Sequence, residues 1–105
     1  MSKVIDRPIV IQKIDPNTEE WKDLFHVHAY INKARTDDQY LRNGSTRTRK
    51  NLVFEIRYFQ KLEPISLNLQ GYRIVYLGTP YALEDYDDYL LRHKTVKLLG
   101  VSYER

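Results

Sequence analysis

The sequence contains no cysteine. Disulfide bonds and thiolate metal sites are therefore excluded, and nothing argues for an oxidising compartment. No apolar run approaches the roughly 20 residues that a membrane-spanning helix needs. The opening stretch, Met1-Ser2-Lys3-Val4-Ile5-Asp6-Arg7-Pro8, breaks off after two apolar residues and holds no signal-peptide core. Glycine and proline are scarce, at four each, and neither an internal repeat nor a low-complexity tract occurs. These absences predict a soluble protein made in the cytoplasm, without membrane contact. At 105 residues the chain is long enough for one compact domain, expected over residues 1–105, and too short for two ordinary ones.

The net charge of +3 is modest for this length, and its distribution says more. Lys33, Arg35, Arg42, Arg47, Arg49 and Lys50 crowd one segment against only Asp37 and Asp38. Glu84, Asp85, Asp87 and Asp88 then fall within five positions. A basic block and an acidic block on one small domain suggest complementary surfaces, including surfaces on two copies of the same chain. The plainer alternative is that both are solvated loops. Nine tyrosines suit β-structure with an amphipathic, contact-making surface.

The pattern of apolar residues reads as strands. Pro8 to Ile14 is rich in β-branched side chains, and Asp15-Pro16-Asn17 is a turn signal. From Trp21 to Ile31 the odd positions Trp21, Asp23, Phe25, Val27, Ala29 and Ile31 alternate with Lys22, Leu24, His26, His28 and Tyr30, which predicts one inward face. Residues 33–51 have no sustained apolar periodicity. Thr36 to Leu41 are read as a short helical turn, and the whole segment as a long, mobile loop where function is expected. Leu52, Phe54, Ile56 and Tyr58 mark a third strand, and Leu62 to Gln70 a turn or short helix. Tyr72–Leu77 and Tyr81–Asp85 are expected to flank a tight turn at Gly78-Thr79-Pro80, with Tyr76 and Tyr81 paired across it. An acidic link then leads to a last strand, Thr95 to Tyr103. The fold class is all-β: a small six-stranded barrel or sandwich with a long loop between strands 2 and 3. Its core is expected to contain Trp21, Phe25, Val27, Phe54, Ile56, Ile74 and Leu98, so that Trp21→Ala and Phe54→Ala should be comparably severe.

Three constellations could carry chemistry. His26 and His28 share one face of a strand, as two zinc ligands would, but no third ligand is demanded by spacing, and a solvated pair is the commoner case. The acidic cluster lacks the glycine and terminal glutamate of an EF-hand. The basic loop could contact phosphates, although the one nearby aromatic, Tyr40, makes no stacking platform. No nucleophile elbow, phosphate loop or His-Glu-x-x-His helix occurs. No catalytic residue, cofactor or metal is therefore expected, and the chain is read as a non-enzyme. A small basic barrel that binds nucleic acid is the alternative, testable by salt-dependent binding of short DNA.

The ordered set Ile9-Val10-Ile11-Gln12-Lys13, His28-Ala29-Tyr30-Ile31-Asn32, Phe54-Glu55-Ile56-Arg57-Tyr58, Tyr72-Arg73-Ile74-Val75-Tyr76-Leu77-Gly78-Thr79-Pro80-Tyr81 and Lys97-Leu98-Leu99 resembles the head closure (head–tail joining, or stopper) proteins of long-tailed phages and prophages. The resemblance covers about Ile9 to Tyr103. It implies a ring of identical subunits in the virion, with portal and adaptor proteins above and tail proteins below. Such a ring closes the DNA exit channel and offers the tail its attachment surface. It also implies that the loop after the second strand can project towards the channel, where its basic residues would meet packaged DNA or the acidic segment of the next subunit. Another connector or tail-completion component would be built on a similar barrel.

Overall fold

The computed structural model describes residues 5–33, 48–88 and 92–104. Six antiparallel strands are formed: β1 (Arg7–Ile14), β2 (Trp21–Lys33), β3 (Thr48–Arg57), β4 (Tyr72–Tyr76), β5 (Thr79–Asp88) and β6 (Thr95–Glu104). A five-residue helix, α1 (Glu63–Leu67), lies between β3 and β4, with a 3-10 turn on either side. The strands close into a barrel in the order β1-β2-β3-β6-β5-β4, with β4 pairing back onto β1. β1, β3 and β5 run towards the end capped by α1, here the plug end, and β2, β4 and β6 run back to the hairpin end.

The interior is filled from every strand. Ile9, Ile11, Ala29, Phe54, Ile56, Ile74, Tyr81, Leu83, Val96 and Leu98 are buried in one cluster. Leu62 and Ile65 join it from the capping segment. Pro64 fits the first turn of α1, where its missing N–H has no partner to lose. Phe54 meets Tyr81 and Tyr76 edge-on, with ring centroids 5.5 and 6.1 Å apart. Gly100 makes room for it: a Cβ there would lie 2.9 Å from Phe54 Cε2 and 3.0 Å from Tyr81 Cβ.

The expected elements recur, with informative differences. Lys33 ends β2, and Thr48 to Asn51 belong to β3, because they continue the pairing with β6 from Glu104 to Val101. The connection between these strands is thus shorter than the expected loop 33–51. The expected helical turn at Thr36–Leu41 lies outside the described residues. Between β4 and β5 the turn is Leu77-Gly78, both with positive φ (51° and 77°), and Tyr76 pairs with Thr79. This is the backbone sense that matches strand twist in a two-residue hairpin. Pro80 is inside β5, where that strand has only β4 beside it, since pairing with β6 starts at Ala82. Tyr81 faces Ile74, not Tyr76; the two tyrosines are related through Phe54.

Two β-bulges account for the larger departures. Ile11 pairs with Phe25 but Gln12 with Asp23, which leaves Leu24 as an extra residue in β2. Phe25, Val27 and Ile31 accordingly pack against the core, while Trp21 and Asp23 fall on the outer face. Trp21 is therefore not a core residue. In β5, Leu83 pairs with Gly100 but Asp85 with Leu99, so Glu84 is the extra residue. Tyr81 and Leu83 point inward before it, Tyr86 and Asp88 after it. Each bulge inverts the alternation that the sequence pattern continues unbroken.

Candidate functional site

The residues singled out for their charge are distributed over both ends of the barrel. Lys33 and Lys50 are exposed at the hairpin end, and the backbone places Arg49 beside Lys50 in β3. Arg35, Arg42 and Arg47 lie outside the described residues. The acidic set does not form a link between strands, because all four members belong to β5. Glu84 is exposed at the bulge, and Asp85 and Asp87 are exposed on the outer face. Lys50 pairs with Ser102 and Asp87 with Lys97. These rows are five residues apart along β6, about 17 Å at strand spacing. Lys50 and Asp87 are therefore beyond ion-pair reach of one another within the chain.

Asp88 behaves differently from its neighbours. The Glu84 bulge turns its side chain inward, where it is only 5% exposed. It accepts a hydrogen bond from the backbone N–H of His93 at 3.0 Å and contacts His93 Nδ1 at 2.5 Å. The His93 ring stacks on Tyr58 with centroids 4.3 Å apart. The Tyr58 hydroxyl donates to Glu63 Oε1 at 2.8 Å. Loss of water, followed by the Glu63 carboxylate as acceptor and charge, pushes the Tyr58 phenol up to about 12. Burial, then the Asp88 and Glu63 charges, also raises the Tyr86 phenol, whose oxygen is buried and has no hydrogen-bond partner among the described residues. This network ties β3, α1 and the approach to β6 together at the plug end. It is a fastening, and its buried acid is unavailable to a partner.

A second constellation, not marked in the sequence, lies on the outer face. Arg73 of β4, Gln12 of β1 and Asp23 of β2 stand side by side in register. Arg73 Nε donates to Gln12 Oε1 at 2.8 Å, and Gln12 Nε2 donates to Asp23 Oδ1 at 2.8 Å. The guanidinium lies 4.5 Å from the Trp21 ring centre, a favourable cation–π separation. Burial pushes Arg73 down from its ordinary value. Trp21 and Arg73 border an open groove of about 570 Å³, walled chiefly by Leu69, Tyr72, Pro80 and Leu83. Only the register of three strands and the Leu24 bulge bring these residues together, and no local spacing announces it.

His26 and His28 point outward and are exposed. His26 Nε2 is 3.8 Å from Asp23 Oδ2. Among the described residues no three histidine or carboxylate side chains converge as metal ligands would.

A family model described as phage head completion protein matches residues 7–100. Among curated proteins no sequence matches. A solved structure titled "Virion of native gene transfer agent (GTA) particle" contains a chain of similar fold, with a TM-score of 0.66 and 10% sequence identity. The alignment covers 98% of this chain and 98% of that one.

Proposed function

Because the chain belongs to the phage head completion protein family, we propose that it works as a ring-forming subunit of the head–tail connector. The ring sits beneath the portal–adaptor assembly, closes the DNA exit channel and offers the surface on which the tail docks. The role is structural, and no chemistry is assigned to the chain. The gene transfer agent chain that shares the fold belongs to a virion particle, which supports the same setting.

The observation that carries this reading is the separation of charge along a closed barrel. Lys33, Arg49 and Lys50 lie at the hairpin end, at the two roots of the basic segment, and Asp85 and Asp87 are exposed towards the plug end. A basic end and an acidic end on one chain suit contact between chains, and a head-to-tail contact repeated around an axis gives a closed ring. The basic segment also suits the phosphates of a DNA end held in the channel, which it would neutralise without reading sequence.

The test replaces Arg42, Arg47 and Arg49 together with Ala in a phage carrying this gene. Heads are expected to fill with DNA and then to leak it or fail to acquire tails. Wild-type yields of filled, tailed particles would overturn the role of the basic segment. A defect before packaging is complete would place the protein at another step of assembly.

A further inference from the structure

We infer that the outer groove at Trp21 and Arg73 is a docking site for an extended peptide segment of another virion protein, one that presents a carboxylate beside an apolar side chain. The groove borders both charged regions invoked for the ring, with Leu83 next to Glu84 and Ser102 paired with Lys50, and its test at Arg73 and Ala82 leaves those charges unchanged.

The chemistry of Arg73 sets the partner. Its Nε–H is committed to Gln12 and its planar face to Trp21. Its Nη groups have no hydrogen-bond partner among the described residues. The aromatic face and the hydrogen bond fix the plane of the fork, so its remaining donors are held in place before a partner arrives. A carboxylate accepts two parallel hydrogen bonds from such a fork, in a geometry that a single neutral carbonyl cannot reproduce. Burial lowers the Arg73 pKa, which agrees with a cation short of water and ready to gain from an anion.

The walls set the rest. Leu69 and Pro80 offer apolar surface beside the guanidinium, the nearly buried Tyr72 and Leu83 lie beneath, and Ala82 keeps the floor open. Leu83 is on β5, and Val101 of β6 closes the far side. Crossing β4, β5 and β6 spans about 10 Å at the usual strand spacing, enough for three or four extended residues. A nucleic acid strand fits less well, because successive phosphates need successive cations and, among the described residues, Arg73 is the one cationic side chain lining the groove.

Trp21 is the only tryptophan, so its fluorescence reports directly on the groove. The experiment titrates the full chain with the blocked peptide acetyl-Leu-Asp-Leu-Leu-amide and with its Asn counterpart. The Asp peptide should shift Trp21 emission saturably, and the Asn peptide should bind about tenfold more weakly or worse, since it forfeits the charge-assisted pair. Arg73→Gln should remove the difference between the peptides, and Arg73→Lys should restore little of it. Ala82→Gln, which fills the groove and leaves the Arg73 hydrogen bond alone, should weaken the Asp peptide as well. Equal binding of the two peptides would overturn the proposal, as would an unchanged Trp21 signal at millimolar peptide. Binding of a short oligothymidylate that depends on Arg73 would overturn it in favour of nucleic acid. Tail joining by the triple Ala variant at the basic segment bears on the ring and leaves this result untouched.

Discussion

Gly100 faces the barrel interior, and an added methyl group would sit 2.9 Å from the Phe54 ring. Phe54 is fully buried and held by two tyrosines, so the ring has little room to move aside. Gly100→Ala should therefore destabilise the fold by about 1–3 kcal/mol, the usual range for overpacking. Phe54→Ala should cost about 3–5 kcal/mol through the cavity it leaves. Both are read as denaturation midpoints, and an unchanged midpoint for Gly100→Ala would show that the ring yields. Trp21→Ala, on the outer face, should cost distinctly less than Phe54→Ala. The Tyr58 phenol makes a pH prediction. Its native value of about 12 lies above the ordinary 10, so between those values the native state holds a proton that the unfolded chain has lost. The stabilisation is fully present below about pH 10 and disappears as pH rises through about 12. Phenolate absorbance should show late-titrating tyrosine, and Tyr58→Phe should lack one late-titrating group. The variant should also lose less stability than the parent between about pH 9 and about pH 11. Identical titration curves would mean that the Glu63 hydrogen bond does not hold in solution.

The hairpin joining β4 and β5 places Leu77 at φ 51° with its side chain 83% exposed. Leucine gains nothing from packing there and pays the steric cost of a left-handed backbone. Leu77→Asn should therefore raise stability by about 1 kcal/mol, since Asn-Gly is the preferred pair for this turn. A lower melting temperature would show that Leu77 makes a contact worth more than the strain. The strands themselves were legible because each is short-range in origin: Phe54-Glu55-Ile56-Arg57 alternates, Ile9-Val10-Ile11 is β-branched, and Asp15 closes its own turn by accepting from Asn17 N–H at 2.9 Å. The bulges were not legible. Whether Leu24 or Glu84 is skipped depends on the register of β1 against β2 and of β5 against β6, and the strand's own alternation carries no trace of it. Hence Trp21 reads as core and lies outside, and Asp88 reads as surface and is buried. The groove was hidden for the same reason, since Gln12 and Arg73 are 61 residues apart.

At the scale of the molecule, the placement of charge predicts rescue between subunits. Reversing Asp85 and Asp87 to Lys should block tail joining, and reversing Lys33 and Lys50 to Glu should do the same. Combining the four changes in one chain should recover part of the lost yield if the two regions meet across an interface. Circular dichroism of each variant separates this effect from misfolding, and a combined variant no better than either parent would dissociate the two surfaces. Closure of the barrel has a further consequence. Every strand is bonded to a neighbour on each side over at least part of its length, so no strand presents a full-length edge to strand addition, the route by which open sheets polymerise. Recognition is then left largely to side chains on a closed frame. Such a frame can exchange nearly its whole exterior while its backbone persists, as the 10% identity over 98% of both chains illustrates. The same barrel can thus persist while the surfaces it offers are refitted from one lineage to the next.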